Sequence, residues 1–394
     1  MKLKAINPSQ HKLAQAISLA LLALAANQAQ ALSYTVSAPI PVDGALLNNA
    51  GQFIVDSTNG TFAAYNISTG TTGLRAQPPV VPGQSTPADY LVGWAFNDAG
   101  HVAGTAMDTV HDKWTATRWD TATGVGTPLN NLTDAFGNLA FGINNQDQVV
   151  GKAWNTTIGG GAYSPVYWDA DGSVHNLGTL GGSQGQAWAI NDTGTIVGSS
   201  FTTNDDADHA TVWHNGSIID LGTLTSSDNY SRAISINNAG QVVGFSGQSV
   251  DDPDAHAVLW NLDGTTAPID LGLAQDDNIN NIKLQINDAG TVITHTWDAG
   301  AGKLHSTVWN GGSFTDLNAA SLTPEQIAAG WNLFALSINN QGVILASISV
   351  PGATSVQVAL LTPTAVPVPG AVWLFSSALA GFVGMKRRKQ GQGA

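Results

Sequence analysis

One turn sequence, Asn-Asn/Asp-x-Gly, recurs seven times and divides most of the chain into repeats of nearly constant length. The first residues of the seven copies are Asn48, Asn97, Asn144, Asn191, Asn237, Asn287 and Asn339. Successive copies are 49, 47, 47, 46, 50 and 52 residues apart. A repeat of this length indicates that one supersecondary unit is built several times and packed against its neighbours.

Each repeat contains four short stretches of strand-forming residues. An apolar stretch such as Ala187–Ile190 leads into the Asn turn, and a valine-rich stretch ending in glycine, such as Gln241–Gly244, follows it. A third stretch ends in an aromatic residue, and a fourth reads Ile-x-Asp-Leu-Gly, as at Ile219–Gly222. The third-stretch aromatics are Tyr65, Trp119, Trp168, Trp213, Trp260 and Trp309. Asn and Asp bond nearby backbone and glycine tolerates positive φ, so the Asn turn predicts a tight hairpin.

Four strands in about 48 residues are typical of a propeller blade. The sequence therefore predicts an all-β fold, a seven-bladed β-propeller of four-stranded repeats over residues 32–363. Tyr34–Ile40 is expected to supply the first strand of the first repeat, and Gln357–Leu361 the last strand of the seventh. Closing the repeats into a ring would protect their sheet edges. The alternative is an open β-solenoid.

The charge is distributed unevenly along the chain. Seven of the 14 Lys and Arg residues lie at the two ends, whereas all 28 acidic residues lie within 32–370, which therefore carries a formal charge of about −21. This part would repel nucleic acid and offers no basic patch for it. Only Glu325 among the acids is a glutamate, and this preference for aspartate fits a chain rich in turns and strands. The absence of cysteine excludes disulfides, thiolate metal sites and a cysteine nucleophile.

Residues 1–31 have the pattern of a secretory signal peptide. Three lysines within the first 12 residues precede the short apolar stretch Ala16–Ala26, and Ala29 and Ala31 fit a small-x-small cleavage site. We therefore expect the protein to be exported. An uncleaved amphipathic helix is the alternative.

Residues 364–394 combine a proline motif, a short apolar helix and a basic end. The motif contains Val366, Pro367 and Pro369, and the basic end contains Lys386, Arg387 and Arg388. The apolar stretch Ala371–Met385 has 15 residues, or about 22 Å as a helix, against roughly 30 Å of bilayer hydrocarbon. It is expected to hold the chain in a membrane transiently, with the basic end cytoplasmic and the acidic part outside. A permanent anchor is the alternative.

This tail resembles the PEP-CTERM sorting signals of exported proteins in Gram-negative bacteria. The resemblance covers about residues 366–389 and has the form of a Val-Pro-x-Pro variant, with Val368 where the family name expects glutamate. It implies recognition by an exosortase-type processing enzyme and release to, or retention at, the cell surface or extracellular matrix. It also implies an association with exopolysaccharide and biofilm.

The middle repeats resemble the bacterial extracellular HAF repeat family. The segments that carry the resemblance are Asp208–Trp213, Asp220–Leu224, His256–Trp260 and Leu177–Ser183, within about residues 141–317. Thr211 and Val258 depart mildly from the family pattern at an otherwise aromatic position. The resemblance implies an extracellular repeat protein and brings no catalytic residue with it.

Two sets of residues are candidates for ligand binding. Carboxylates crowd two equivalent loops as Asp205, Asp206, Asp208, Asp251, Asp252 and Asp254. Such clusters can bind Ca²⁺, the one cofactor that the sequence suggests, or they can be solvated acidic turns. Large side chains recur seven residues after the Asn turn, and Trp154, Phe201 and Trp297 are the aromatic members. They would form a stacking surface for a sugar if they share one face, or they pack between blades.

Catalytic motifs are weak. Gly181–Gly185 matches G-x-S-x-G, but it lies in a repeat turn instead of the strand-turn-helix elbow that this motif requires. His209, His256 and His305 share one repeat position and are expected to pack within blades. We therefore expect no enzyme, but a non-catalytic binding or scaffold module of the extracellular matrix that is associated with polysaccharide. The alternatives are a structural matrix protein without a specific ligand and a polysaccharide-acting enzyme.

Overall fold

The Asn turn at each repeat forms as its sequence predicts. The side-chain oxygen of the first Asn accepts a hydrogen bond from the backbone amide four residues later, at 2.8 Å for Gln52, His101 and Gln241. The fourth residue has a φ of 75–87° where it is glycine, and Asp147 takes a φ of 61° in the third repeat. Glycine adopts this left-handed conformation without steric cost, and aspartate is one of the few other residues that visit it.

The structure is a computed structural model that describes residues 32–364 except 43, 57–60, 81–86, 110–112, 134, 156–161, 250, 251, 253, 265, 266, 274–283, 299–302, 354 and 356. The described residues contain 28 strands, which form seven four-stranded antiparallel groups. In six of the groups, four successive strands form a meander, and the seventh combines the last three strands with the first strand of the chain. The all-β propeller predicted from the sequence is therefore confirmed.

The strands follow one another in chain order, beginning with β1 (Tyr34–Val36). The first two sheets comprise β2 (Gly44–Leu47), β3 (Gln52–Asp56), β4 (Phe62–Asn66), β5 (Thr71–Arg75), and β6 (Tyr90–Phe96), β7 (His101–Asp108), β8 (Lys113–Asp120), β9 (Gly126–Pro128). The next two comprise β10 (Ala135–Ile143), β11 (Val149–Asn155), β12 (Tyr163–Trp168), β13 (Val174–Asn176), and β14 (Gly181–Ile190), β15 (Ile196–Thr202), β16 (Asp208–His214), β17 (Ser217–Gly222).

The fifth and sixth sheets comprise β18 (Tyr230–Ile236), β19 (Gln241–Gly247), β20 (His256–Asn261), β21 (Ile269–Leu273), and β22 (Gln285–Ile286), β23 (Val292–Asp298), β24 (Lys303–Asn310), β25 (Ser313–Asp316). The seventh contains β26 (Asn332–Ile338), β27 (Ile344–Ser349) and β28 (Gln357–Pro363). One parallel bridge between Asp208 and Tyr230 links the fourth and fifth sheets.

The first strand of the chain completes the last sheet. β1 pairs with β28 at the outer edge of the seventh sheet, and Ile40 bridges Val358 next to it. The sequence analysis assigned Tyr34–Ile40 to the first repeat, whereas the structure places β1 in the seventh sheet, so the sequence repeat and the sheet are offset by one strand. This pairing joins the two ends of the repeat array and gives the seventh sheet the same number of strands as the other six.

The aromatic residue of the third strand fills the interior of most sheets. Trp119 and Trp168 are fully buried, and Trp213 and Trp260 are nearly so. The indole N–H of Trp168 donates to the Asn130 carbonyl oxygen at 2.6 Å, and Trp119 and Trp213 make equivalent bonds at 3.1 Å. The repeated tryptophan thus supplies a large apolar surface, and the backbone satisfies its indole N–H in Trp119, Trp168 and Trp213, whereas that of Trp260 is buried without a described partner.

Two short helices interrupt the pattern after the sixth sheet. They are α1 (Leu317–Ser321), capped by Asp316, and α2 (Pro324–Ala328), capped by Thr323. In α2, Thr323 and Gln326 form a reciprocal capping box, and Pro324 occupies the first turn. The only glutamate of the chain, Glu325, lies in this first turn, where its charge is favourable. These helices were not anticipated from the repeat.

The two predicted targeting segments lie outside the described residues. They include the residues proposed for cleavage and sorting, Ala29, Ala31, Val366, Pro367, Pro369, Lys386, Arg387 and Arg388. Residues Ser33–Thr362 form one compact unit. Within the described residues, we find no helix with the length and hydropathy needed to span a membrane.

Candidate functional site

Seven buried asparagines form a closed circle of hydrogen bonds, which we call the asparagine ring. Each is the first residue of an Asn turn, and its side-chain amide donates to the backbone carbonyl oxygen of its equivalent in the next repeat at 3.0–3.4 Å. The circle closes where Asn339 donates to Asn48. The seven sheets therefore surround one axis, with their first strands innermost.

A second circle, which we call the outer ring, is formed by the second residues of these turns. They alternate as Asn49, Asp98, Asn145, Asp192, Asn238, Asp288 and Asn340. Each backbone amide donates to the side-chain oxygen of the next residue in the circle at 2.6–3.0 Å. The asparagine amides also donate to the flanking aspartate carboxylates at 2.6–3.1 Å.

The two rings line an axial opening of about 170 Å³. Donors and acceptors match around it, since each carboxylate of the outer ring accepts amide hydrogen bonds from both neighbouring asparagines. A polar network satisfied in this way stabilises one arrangement of its members. We therefore assign both rings to closure of the propeller.

A different opening lies between the second and third sheets, at the ends of strands opposite the Asn turns. This aromatic cavity has a volume of about 240 Å³ and is lined by Trp114, Phe136, Gly137 and Trp154. The Trp114 and Phe136 side chains are 37% and 49% exposed. A Cβ at Gly137 would lie 3.0 Å from the Trp114 carbonyl oxygen and 3.3 Å from the Trp154 ring, so glycine keeps this wall open.

Aromatic rings continue from the cavity into the third sheet. The Trp154 ring centroid lies 6.1 Å from that of Trp114 and 5.9 Å from that of Tyr163, both in edge-to-face geometry. On the other side, Lys113 Nζ lies 5.2 Å from the Phe136 ring centroid and donates to the Phe136 carbonyl oxygen at 2.8 Å. The cavity is thus a fixed aromatic surface with a cation at its edge.

A second group of cations and rings lies next to this cavity, on the first three strands of the third sheet and the first strands of the fourth and fifth sheets. Lys152 Nζ is 4.0 Å from the Tyr163 ring centroid and 5.6 Å from that of Phe141. Phe141 stacks on Trp188 at 4.4 Å, and the Arg232 guanidinium lies 5.2 Å from the Trp188 ring. Burial lowers the pKa of Lys152 to about 8, and repulsion from Arg232 adds to the shift.

The lowered pKa of Lys152 predicts a pH-dependent stability. The unfolded lysine keeps its proton up to about pH 10.5, whereas the folded one loses it near pH 8, so stability rises with pH between these values. Replacing Lys152 with Met removes the cost of burying the charge, which is at most about 3 kcal/mol. We expect the variant to be more stable than the unaltered chain at pH 7 and to lose more than half of this advantage by pH 9.5.

Urea unfolding of both proteins at the two pH values measures the difference. Groups other than Lys152 that titrate at high pH are common to both proteins and cancel. An advantage of the variant that is the same at both pH values would contradict the prediction.

The carboxylates predicted to bind Ca²⁺ do not converge within the described residues. Asp205 accepts hydrogen bonds from the Ser183 amide and hydroxyl, both at 2.7 Å, and these hold its pKa below the ordinary value. Burial raises the pKa of Asp208, against the attraction of Arg232. Asp252 accepts backbone amides of Gln248 and Asp254 at 2.6 and 2.9 Å.

The other three aspartates of this set are Asp206, Asp251 and Asp254. The Asp206 and Asp254 side chains are exposed, and Asp251 lies outside the described residues. In the part of the chain that the structure describes, no group of three His, Asp or Glu side chains is arranged to hold a metal ion. The Ca²⁺ hypothesis stays a prediction.

The predicted stacking residues lie at equivalent strand ends but in separate sheets. Trp154 lines the aromatic cavity, whereas Phe201 belongs to the fourth sheet and is not among the residues that line it. Trp297 lies in β23 of the sixth sheet, and its side chain is outside the description. The cavity therefore combines one residue of the predicted set with Trp114 and Phe136.

The histidine and serine motifs have local partners. His209, His256 and His305 each pair with the aspartate of the fourth strand of the same repeat, at 2.8–3.0 Å. Ser183 of the G-x-S-x-G sequence lies within β14 and bonds Asp205 instead of turning into a helix. The repeated histidines thus hold neighbouring strands together, as their shared position suggested.

Sequence reasoning missed Trp114, Phe136, Tyr163, Lys152 and Arg232. Trp114 and Tyr163 share one repeat position, five residues before the third-strand tryptophan, but the other repeats have no aromatic residue there, and Phe136, Lys152 and Arg232 are not repeated. Lys152 and Arg232 could have been noticed because basic residues are rare here: they are two of only seven Lys and Arg residues between residues 32 and 370. A buried cation in an acidic chain requires an explanation.

Comparisons with known proteins give structural similarity alone. The chain is similar to the WD40 repeats of RRP9, at 12% identity over 85% of this chain and 99% of that one, with a TM-score of 0.47. It is similar to U3-55K at 11% identity, covering 84% and 98%, with a TM-score of 0.46. It is also similar to a chain from a structural and mechanistic analysis of two prolyl endopeptidases, at 11% identity over 85% of this chain and 51% of that chain, with a TM-score of 0.49. No family model and no curated protein matches.

Proposed function

We propose that the protein is a non-catalytic carbohydrate-binding module of the bacterial cell surface, and that the aromatic cavity is its binding site. The observation that carries this proposal is the exposure of Trp114 and Phe136 around an open cavity of about 240 Å³. Large apolar side chains left exposed together mark interaction sites more often than isolated ones do. The fold alone carries no function.

The geometry of the cavity suits a sugar ring better than a flat apolar ligand. Trp114 and Trp154 meet edge to face, so they present faces at different angles around one space. Sugar rings place their C–H groups against such faces while their hydroxyls stay in contact with water and polar groups. The cavity is open to solvent, as expected for a site that takes a segment of a long polymer.

The two ends of the sequence support the location. The pattern of residues 1–31 predicts export. The tail at 366–389 predicts processing by an exosortase-type enzyme and sorting to the surface of a Gram-negative bacterium. The resemblance to HAF repeats is consistent with an extracellular protein. From the tail we also expect a transient or permanent membrane attachment and an exopolysaccharide partner. The negative charge of the chain disfavours nucleic acid.

The test is binding of the purified full chain to a panel of soluble polysaccharides, measured by calorimetry. We expect Trp114→Ala with Phe136→Ala to weaken binding at least about tenfold, because central aromatic side chains carry much of the binding energy at such sites. The melting temperature should change little, since both side chains are already partly exposed. Phe314→Ala is the matched control, because Phe314 is also 49% exposed but lies in the sixth sheet.

Each outcome bears on one alternative. No binding to any polysaccharide by a well-folded sample would favour the purely structural matrix protein. Shortening of a bound polysaccharide during the measurement would favour a polysaccharide-acting enzyme. A loss of binding with chelator, restored by Ca²⁺, would support the prediction for the Asp205 and Asp252 loops.

A further inference from the structure

Arg232 and Trp188 carry hydrogen-bond donors that lack acceptors, and the Lys152 ammonium lies close to Arg232. The Arg232 side chain is buried, with 8% of the residue exposed, and its Nε has no hydrogen-bond partner. The indole N–H of Trp188 is also buried without a partner, although Arg232 lies over its ring. Buried polar groups are nearly always satisfied in folded proteins, so two adjacent unsatisfied donors indicate a missing acceptor.

Lys152 adds a third donor to the same place. Its ammonium has three N–H groups, and the polar acceptor described for it is Gln186 Oε1 at 3.3 Å. Arg232 is close enough to lower its pKa by repulsion. Two like charges held together away from water are unfavourable unless an anion joins them.

Asp208, an acidic group close enough to interact with Arg232, does not fill this role. The Asp208 carboxylate attracts Arg232, but its described hydrogen bond is with Ser199 Oγ at 3.4 Å, and it forms no ion pair with the guanidinium. Among the described residues, no acceptor bonds the paired N–H groups of the Arg232 guanidinium, so a ligand can bind them. A carboxylate matches that fork with two parallel hydrogen bonds.

The donors are connected to the aromatic cavity through Tyr163. Its ring contacts Trp154, which lines the cavity, and lies 4.0 Å from Lys152 Nζ. Phe141 and Trp188 continue the apolar surface from Lys152 to Arg232. A ligand with sugar rings and an acidic group would find both kinds of contact on adjacent surfaces.

We propose that Lys152, Arg232 and Trp188 form a carboxylate-binding site, and that the polysaccharide bound at the aromatic cavity consists of uronic acids. This inference rests on the proposed function and deepens it. The carboxylate accepts from Arg232 and from Lys152, and the Trp188 indole N–H supplies a neutral donor. The remaining sugar ring contacts Tyr163 and Phe141.

The experiment compares two ligands of equal length, trigalacturonate, which is anionic, and its methyl ester, which is neutral. Galacturonate monomer is the third ligand. Calorimetry on the full chain should give about tenfold or more tighter binding of the acid than of the ester, the range expected for hydrogen bonds between charged groups. Arg232→Met should bind acid and ester alike. Arg75→Met removes the same side chain from an exposed position in the first sheet and should change neither affinity.

Lys152→Met provides a second variant if Arg232→Met is poorly folded, and it should lose the same preference for the acid. If the unaltered chain binds the ester as tightly as the acid, the inference is wrong and the proposed function stands. If galacturonate binds but neither trisaccharide does, the carboxylate site stands and the proposed polysaccharide function is wrong. If no carboxylate binds, the inference is wrong.

Discussion

Replacing Gly151 with alanine is expected to destabilise the third sheet severely. A Cβ at this position would lie 1.8 Å from the Leu139 carbonyl oxygen of the neighbouring innermost strand. The register of that strand shifts between Ala140 and Gly142, which brings its backbone close to the glycine. Because the clash is with backbone, no side-chain rotation relieves it, and we expect a loss of about 3 kcal/mol or more.

Denaturant unfolding of the variant measures this loss. Gly73→Ala is the control, because its Cβ would meet its nearest neighbour at 3.4 Å, an ordinary contact. The control should change the free energy of unfolding by less than about 1 kcal/mol. Equal midpoints for the two variants would contradict the close packing inferred here. Gly104, Gly198 and Gly244 occupy equivalent positions at 1.8–2.0 Å and should behave like Gly151.

Replacing Asn237 with alanine is expected to open the asparagine ring at one point. Its side chain donates to Asn287 O at 3.0 Å and to Gln241 Oε1 at 2.9 Å. It also accepts the amides of Ala239 and Gln241 at 3.1 and 2.8 Å. The residue is 3% exposed, so alanine leaves buried polar groups without partners. Each such group costs about 1–3 kcal/mol, and we expect a total loss of about 3–4 kcal/mol.

The matched control is Asn310→Ala, at an exposed position at the end of β24 for which no side-chain hydrogen bond is described. This variant should unfold within about 0.5 kcal/mol of the unaltered chain. Thermal unfolding of both variants by circular dichroism makes the comparison. An Asn237→Ala variant as stable as Asn310→Ala would show that the ring is dispensable for closure.

The strands and turns could be predicted because their determinants are local. The Asn turn depends on four consecutive residues, an Asn side chain that bonds its own backbone and a residue that tolerates positive φ. Seven copies of that turn indicated the propeller, whereas the pairing of Tyr34–Val36 with the last sheet, instead of the first, came from the structure. The short helices escaped prediction because they are an insertion in one repeat, although the capping sequence Thr323–Gln326 marks one of them.

The ring contacts could not be read from single repeats. Alternation of Asn and Asp at the second turn position is visible in the sequence, but its meaning depends on each turn lying beside the next one around an axis. Asn49 and Asp98 are 49 residues apart and bond directly at 2.7 Å. Similarly, the hydrogen bonds of Asp205 and Asp252 with nearby serine and backbone groups could not be read from the acidic loops of the sequence.

The sequence by itself determined the repeat, its hairpin turns and its four-stranded unit, because these depend on hydrogen bonds and alternation over a few residues. Only the tertiary structure decided which side chains form the candidate site. Trp114 and Phe136 come from adjacent sheets, and Lys152 and Arg232 come from the third and fifth sheets, 80 residues apart in sequence. Packing of sheets around the axis places them together, and that packing depends on the whole ring. A periodic sequence specifies where its repeated residues lie, whereas residues that break the period acquire neighbours only when the ring closes.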